Sequence, residues 1–433
     1  MPRSRTDLLH YGVLAVAFLV ALAVPFVFGT LSVLGSMTAF LLLLSWSISW
    51  RAGEREAQAG GMSGGRDRSS WLFWIMCGVI ALVIPVITGT PYFLTVMVAM
   101  LIYLTWNTMW GLVLGTAGLQ SFATVAVAGI SAYVAAYLSV NVGASGALAC
   151  AEGGGRLLGL PVVQWWVAIP VAVVVGVVVG FVISLPAIRL RGIYFALLTI
   201  GLVELARAFF GQDKCNFGGA QGLFGASSFV PEDLAGSLQG SQIAYFAAIG
   251  LAILALVIYN RVNYGRLGLL LRTARESEPV AEVLGTDVVR ARLWVFLISS
   301  AVLGGAGGFY IAYYKSISPS FFNFSTVLLL FAMVMIGGIN TPRGILIGTM
   351  LLTYVDRRFV DVDPPEARYV FIGLLLLAVT LIARDGLIAI PDQIRRRRGQ
   401  QGRASGPGSD PPEDAGAIEQ ESQMPPGSRP ETA

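Results

Sequence analysis

About a dozen apolar runs, many of them about 18 residues or longer, follow one another along this chain. An α-helix of about 20 apolar residues crosses the roughly 30 Å of hydrocarbon in a bilayer. One such run could be a buried core helix, but a dozen in series cannot be packed that way. The sequence therefore predicts an all-α fold, a polytopic transmembrane helical bundle of about 10–12 spans.

Charge is sparse in this chain and unevenly distributed. Charged residues make up 12% of the 433 residues, whereas soluble domains carry about a quarter. Lys214 and Lys315 are the only lysines, so nearly all of the positive charge is arginine. The arginines lie at the ends of apolar runs, as the positive-inside rule expects, and this distribution argues against a nucleic-acid-binding surface.

The apolar runs leave one question open, which is how many of them cross the membrane fully. The runs that begin at Ile193 and Ile345 are short or interrupted by glycine, so either could be a broken or re-entrant helix. The complete series of runs is Tyr11–Phe28, Leu31–Trp50, Trp71–Ile87, Tyr92–Leu114, Leu119–Val140, Val162–Leu185, Ile193–Phe210, Ile243–Tyr259, Leu293–Tyr313, Val327–Ile339, Ile345–Val355 and Tyr369–Ala383.

The arginines also predict an orientation. With the N-terminus in the cytoplasm, alternation places the arginine-rich segments inside and the loops Asn141–Pro161 and Gly211–Ser241 outside, with both termini cytoplasmic. The segments placed inside are Arg51–Arg68, Arg189–Arg191, Arg261–Arg292, Thr341–Arg343 and Arg395–Arg398.

Composition divides the chain into three parts. Residues 1–91 hold the N-terminal spans and a polar cytoplasmic loop at 51–70. Residues 92–390 form the main transmembrane domain, with a cytoplasmic segment at 261–292. Residues 391–433 are predicted to be a disordered cytoplasmic tail, because from Gly399 the chain is rich in Gly, Pro, Ser, Glu and Asp.

Residues that bind metals or carry out hydrolysis are scarce. His10 is the only histidine, and the three cysteines form no CxxC pattern. We therefore expect no metal site, no cofactor and no enzymatic activity, because the His, Asp or Cys clusters of a membrane-embedded enzyme are missing.

Polar and glycine residues inside the runs are the candidates for a transport path. Glu204 and Arg207 share a helix face at i,i+3, where they could form a bracing ion pair or act in transport. Asn107, Gln120 and Ser121 flank a glycine-rich break and could instead form interhelical hydrogen bonds. The glycine pair Gly337 and Gly338 suits either close helix packing or a discontinuous helix.

The predicted cytoplasmic segment 261–292 is neither apolar enough to insert nor polar enough to be disordered. Within it, Leu271–Gly285 has the pattern of a short amphipathic helix that ends at a glycine. Such a helix could dock a cytoplasmic partner or lie on the membrane surface. The chain has no GxxxxGK[ST] sequence, so an ATPase that drove transport would be another chain.

Several ordered patterns between Tyr92 and Leu387 resemble the LivM-type permease subunit of branched-chain amino-acid ABC importers. The patterns are GLQSFATVAVAGISAY, IRLRGIYFALLTIGLVELAR, FGGAQGL, ARESEPVAEVLG, ISPSFFNFS, VMIGGINTPRG and ARDGL. The matching residues are Ser121, Gly129, Ala132, Tyr133, Arg189, Arg191, Gly192, Tyr194, Gly201, Glu204, Arg207, Gly218, Gly219, Gly222, Arg275, Glu276, Glu278, Ala281, Gly285, Ser318, Pro319, Phe322, Gly337, Gly338, Gly344 and Gly386.

The resemblance implies a subunit of a larger importer in the bacterial inner membrane. Its partners would be cytoplasmic ABC ATPase subunits, a second, LivH-like permease subunit, and a periplasmic substrate-binding protein, besides membrane lipid. It adds Tyr133 and Tyr194 to the candidate path residues. It also implies that the amphipathic segment couples to the ATPase, through Arg272, Arg275, Glu276, Glu278, Ala281, Leu284 and Gly285.

The chain departs from the family pattern at three positions. Ile193 replaces an acidic residue, Phe217 a threonine, and Ser131 a glycine. The first and third lie in motifs of the presumed path, so the substrate stays open among branched-chain amino acids, other amino acids, urea and short amides. An ion-coupled secondary transporter is the alternative from another energy class, with Glu204 as its main candidate ion site.

Two cysteines fall on the predicted outside, where disulfides can form. A bridge between Cys150 and Cys215 is therefore a hypothesis that their Cα separation would test.

Overall fold

The computed structural model describes residues 90–140, 163–187, 190, 192–231, 234, 236–276, 281, 287–339 and 341–358, together with 370, 372–374, 376 and 377. The predicted spans before Thr90, the loop 51–70 and the tail 391–433 lie outside the described residues, as does most of the run Tyr369–Ala383.

Ten α-helices account for most of the described residues. In chain order they are α1 Pro91–Gly111, α2 Ala123–Ser139, α3 Trp165–Ala187, α4 Ile193–Gln212, α5 Lys214–Phe217, α6 Leu238–Asn263, α7 Arg266–Glu276, α8 Val288–Tyr314, α9 Phe324–Gly337 and α10 Pro342–Arg358. The strands β1 Leu223–Phe224 and β2 Ser316–Ile317 pair antiparallel. The prediction of an all-α polytopic membrane protein is confirmed.

Five of these helices are long and apolar enough to cross a membrane, and their burial separates centre from periphery. The most apolar stretch of 18 residues is 94% buried in α1, taken together with its continuation to Thr116, and 78% buried in α8. In α3, α4 and α6 the corresponding stretch is only 28–33% buried. Helices α1 and α8 therefore lie at the centre, and the other three present broad faces to the surroundings.

Close packing between α3 and α8 depends on glycine. These helices form the most extensive contact among the described elements. A Cβ added to Gly176 would lie 2.6 Å from the Ser300 carbonyl oxygen and 2.8 Å from the Cα of Gly304. The backbones of α3 and α8 touch there because neither Gly176 nor Gly304 carries a side chain. Small residues bring membrane helices close together in this way.

The glycine-rich break predicted after the first described helix is present. Helix α1 continues as one π-helical turn, Leu112–Thr116, and the chain is then non-helical until α2 begins at Ala123. Gly118 adopts a positive φ of 68° in this break. A glycine suits this position because L-residues with side chains rarely adopt such a φ.

The two runs for which a break was left open behave differently. Helix α4 runs through Ile193–Gln212 without interruption, so this run is one continuous helix. Gly201 is accommodated within it because it lies on an open face. Ile345 belongs to α10, which is separated from α9 by Gly338 (φ 105°). The 14 residues of α9 span about 21 Å, less than a hydrocarbon core.

Helices α9 and α10 form an antiparallel hairpin with a readable register. A Cβ on Gly337 would meet the carbonyl of Gly344, and one on Gly348 would meet the carbonyl of Met333. Each step along α10 therefore corresponds to a step back along α9. By this register the end of α10 at Arg357 lies level with the start of α9 near Phe324.

The ends of the helices gather into two groups, one at each end of the bundle. At one end of the bundle the Thr116 hydroxyl donates to Asn263 Oδ1. At the other end β1 pairs with β2, and Val140 bridges to Ala226. Helix α8 joins the two ends, since its first residues pack with the segment after α7 and β2 follows its last residue.

Candidate functional site

A cavity of about 380 Å³ lies at the β1–β2 end of the bundle. Aromatic rings from α1, β1, α8 and the turn before α9 form much of its wall, and hydroxyl and amide groups complete it. The lining residues are Tyr103, Trp106, Ala220, Gln221, Phe224, Tyr310, Ser316, Ile317, Ser318, Ser320, Phe321 and Thr326. Its volume lies within the range of small-molecule sites, and its lining combines aromatic rings with hydroxyl and amide groups.

The aromatic wall of the cavity is held together by ring contacts. Trp106 packs edge-on against Phe321 with ring centroids 5.5 Å apart, and Tyr310 packs against Phe321 at 5.3 Å. Trp106 is itself 5.7 Å from Tyr103. Such pairs contribute about 0.5–1.5 kcal/mol each beyond the area they bury. These ring contacts therefore hold the aromatic side chains of the wall in place.

One arginine lies beside this wall. The guanidinium of Arg357 is close enough to the hydroxyls of Tyr310 and Tyr314 to interact with them electrostatically. The hydroxyl of Tyr103 also interacts with both of these tyrosines. Arg357 is half-buried, and its Nε is buried without a hydrogen-bond partner in the part of the chain that the structure describes.

Sequence reasoning missed Arg357. The hairpin register explains why Arg357 lies near the cavity although it does not line it. The register places Arg357 level with the start of α9, two residues before the lining residue Thr326. A signal was present in the sequence. The predicted alternation places Arg357 in an outside loop, where the positive-inside rule disfavours arginine.

Asn107, a predicted path residue, braces three helices. Its side chain is fully buried, and Nδ2 donates to Thr349 Oγ1 at 3.0 Å and to Met333 Sδ at 3.3 Å. These contacts join α1 to α9 and α10. The geometry agrees with interhelical hydrogen bonding, which was the alternative interpretation of this residue.

Tyr133 lies in the core, behind the cavity. Its ring stacks on Phe210 with centroids 4.0 Å apart and lies 5.8 Å from Phe322, the neighbour of the lining residue Phe321. Tyr133 is fully buried. It supports the wall of the cavity without lining it.

The remaining predicted path residues are dispersed. Ser121 is buried, and its carbonyl accepts a hydrogen bond of 2.6 Å from Trp110 Nε1, whereas Gln120 is exposed beside it. Tyr194 is 68% exposed near the start of α4. The buried pair Gly337 and Gly338 ends α9 and allows α10 to pack closely.

Glu204 and Arg207 form an ion pair within α4, with Arg207 Nε 2.7 Å from Glu204 Oε2. Their side chains are 41% and 49% exposed on the outward face of the helix. The pair therefore braces no second helix among the described residues, and it does not line the cavity.

The amphipathic segment is anchored at the opposite end of the bundle. Arg275 Nη1 donates to the Gly115 carbonyl at 2.8 Å, and the stem of Arg275 covers Gly118. Arg272 Nη2 donates to Asn263 Oδ1 at 2.7 Å and its guanidinium lies over the Tyr264 ring. The Arg275 contact ties α7 to the π turn after α1, and the Arg272 contacts tie it to the end of α6.

Helix α7 begins at Arg266, not at Leu271 as the sequence predicted, because the chain turns at Gly265 and re-enters a helix at once. Its inner face contains Leu271 and Ala274, and Ala274 packs with Ala281. Glu278, Leu284 and Gly285 lie outside the described residues, and the side chain of Glu276 is not described.

Neither a metal site nor the disulfide is visible in the described part of the chain. No group of three or more His, Cys, Asp or Glu residues comes together among the residues searched. Cys150 lies outside the described residues and the side chain of Cys215 is not described, so the bridge remains a prediction.

Comparison with known proteins places this arrangement in a family. The sequence profile of the family described as branched-chain amino acid transport system / permease component matches residues 92–380. The chain belongs to this family. The match begins at α1, covers every described helix, and excludes the predicted N-terminal spans.

Both LivM and LivH proteins are similar to this chain. The high-affinity branched-chain amino acid transport system permease protein LivM of Salmonella typhimurium is 26% identical over 298 residues, which cover 61% of this chain and 69% of the relative. LivM of Escherichia coli is 26% identical over 285 residues, covering 58% and 66%. LivH of Salmonella typhimurium is 27% identical over 161 residues, covering 37% and 51%. No solved structure matches the chain.

The permease is thus a LivM-type, multi-pass membrane protein. Its cavity and its anchored α7 lie near opposite ends of α8, since Tyr310 follows the first residue of that helix by 22 positions. At 1.5 Å per residue this separation is about 33 Å, the thickness of a hydrocarbon core.

Proposed function

We propose that this permease is the translocation subunit of an ATP-driven importer for branched-chain or related amino acids, in a cytoplasmic membrane, with both termini cytoplasmic. The observation that carries the proposal is the family match over residues 92–380. A second, LivH-like permease chain would complete the path. A partner ATPase would hydrolyse ATP, and an extracytoplasmic binding protein would deliver the substrate.

The cavity supports an amino acid as substrate. Trp106, Phe321 and Phe224 offer apolar surface for a branched side chain, and the serine hydroxyls offer hydrogen bonds. Uncharged polar groups alone would suit urea or a short amide equally well. Arg357 beside the cavity favours a carboxylate, because a guanidinium binds carboxylates through two parallel hydrogen bonds.

The contacts of α7 support coupling to an ATPase. An ATPase that moved α7 would pull on Gly115 through Arg275 and on Asn263 through Arg272. Both anchors lie at the ends of apolar helices, α6 and the π-extended α1. Since α1 also lines the cavity through Tyr103 and Trp106, movement at one end could be transmitted to the other.

The decisive experiment is uptake of radiolabelled leucine into proteoliposomes that contain the full chain, its LivH-like partner and its ATPase. We expect uptake to require ATP inside the vesicles and the binding protein outside. Uptake that instead followed a proton or sodium gradient without ATP would contradict the proposal and favour a secondary transporter. Competition by urea but not by valine would change the substrate class.

Replacing Arg275 with methionine is expected to lower leucine uptake about tenfold while ATP hydrolysis continues. The change removes the charged hydrogen bond to the Gly115 carbonyl, and such bonds contribute about 1.5–3 kcal/mol. Arg266→Met is the matched control, because Arg266 is an exposed arginine on the same helix. Equal effects of the two variants on uptake would show that the Gly115 contact does not couple the subunits.

A further inference from the structure

Helix α4 carries two charges on its outward face near the middle of an apolar span. Glu204 is the twelfth of the 20 residues of α4, about 17 Å from its start. Together with Arg207 it forms an ion pair whose side chains are 41% and 49% exposed. This depth is the centre of the hydrocarbon if α4 crosses the membrane.

Lipid is a poor environment for this pair. A charged side chain at the centre of a membrane helix costs about 2.5–3.5 kcal/mol on insertion scales, and such residues nearly always face protein or a water-filled cavity. The intrahelical pairing of Glu204 with Arg207 lowers that cost but leaves both heads uncovered. Something other than acyl chains must cover this face.

The other outward faces differ from that of α4. The exposed residues of α3 include Val174, Val178 and Val182, and those of α6 include Ile253 and Val257. These faces are apolar, as lipid-facing helices are expected to be. A lipid contact therefore explains α3 and α6 but not α4.

The shape of the α4 face suits another helix. Gly201 lies one turn before Glu204, and a Cβ placed on it would meet nothing within 4 Å. Ala208 is exposed one turn after Glu204. Small residues on one face, with a polar group between them, are the features that let a membrane helix approach closely and form interhelical hydrogen bonds.

We propose that the face Leu197, Gly201, Glu204, Leu205 and Ala208, the α4 face, packs against the LivH-type permease chain of the importer. This inference rests on the proposed function. The partner would cover the Glu204–Arg207 pair and supply it with polar contacts within the membrane.

Two observations favour this occupant. The α4 face belongs to the part of the chain that the family profile matches, whereas residues 1–91 lie outside that match. LivH proteins match this chain over 161 residues and, in Salmonella typhimurium, exist beside LivM as separate chains.

The test is photo-crosslinking in membranes that contain the full chain, its LivH-like partner, its ATPase and the binding protein. Benzoylphenylalanine would replace Leu205 on the α4 face or, as the matched control, Val178 on α3, both of which are exposed apolar residues in spans. Mass spectrometry would identify the adduct. Ala208 is the second site, in case the Leu205 replacement blocks assembly.

We expect position 205 or 208 to yield an adduct with a transmembrane peptide of the LivH-like chain, and position 178 to yield none. An adduct with lipid, with a second copy of this chain, or with residues 1–91 of the same chain would overturn the assignment. Leucine uptake is measured on the same membranes. Uptake without the adduct refutes only the interface, whereas the adduct without ATP-dependent uptake refutes the proposed function.

Discussion

Replacing Gly176 with valine is expected to prevent accumulation of folded permease. The change drives side-chain carbons into the Ser300 carbonyl oxygen and the Gly304 Cα, 2.6 and 2.8 Å from the position of a Cβ. Overpacking costs about 1–3 kcal/mol where side chains can move aside. Here the obstacles are backbone atoms, so α3 and α8 must separate and lose their packing along the centre of the bundle.

Gly250→Val is the matched control for this prediction. Gly250 also lies within a long apolar helix, α6, but a Cβ there would meet nothing within 4 Å. The measurement is the amount of monodisperse protein extracted from membranes, with at least a tenfold loss expected for Gly176→Val and little change for Gly250→Val. Equal yields of the two variants would mean that the α3–α8 contact does not limit folding.

Replacing Arg357 with glutamine is expected to reduce leucine uptake by about 10–100-fold at saturating binding protein, with the complex still assembled. This range corresponds to the roughly 1.5–3 kcal/mol of a hydrogen bond to a charged group. The reason is that the guanidinium interacts electrostatically with Tyr310, which lines the cavity, and that its Nε has no hydrogen-bond partner among the described residues. Uptake and substrate-stimulated ATP hydrolysis are the measurements.

Two further variants separate recognition from support of the fold. Arg357→Lys keeps the charge but loses the planar fork, so an intermediate uptake is expected. Arg290→Gln removes an exposed arginine paired with Asp287 near the start of α8, and should leave uptake unchanged. If Arg357→Gln instead lowered the yield of the complex and left uptake per complex unchanged, the residue would be structural.

Hydropathy predicted most of the helices well. The run Leu293–Tyr313 corresponds to Val288–Tyr314 and the run Ile243–Tyr259 to Leu238–Asn263. These agreements arise because the backbone of a spanning segment must satisfy its own hydrogen bonds in hydrocarbon, so a long apolar run has few alternatives to a helix. Helix ends lie beyond the runs because the polar residues that end an apolar run can continue the helix into the interface.

The candidate site was predictable only in part. The pattern around Arg275 identified the segment that is anchored to the π turn. The polar residues within the runs were recognised as unusual, but Asn107 serves as a brace and Glu204 faces outward. A single sequence does not contain the rotation of each helix, and that rotation decides whether a polar side chain faces the core, the cavity or the surroundings.

The sequence by itself determined that this chain is helical, spans the membrane many times, and belongs to a family of transport permeases. The tertiary structure decided which residues meet. Arg357 joins Tyr310 through the register of the α9–α10 hairpin, and glycines at the α3–α8 crossing set the distance between backbones. The physical reason is that hydrophobicity and backbone hydrogen bonding act locally along a helix, whereas packing depends on contacts between residues far apart in the chain.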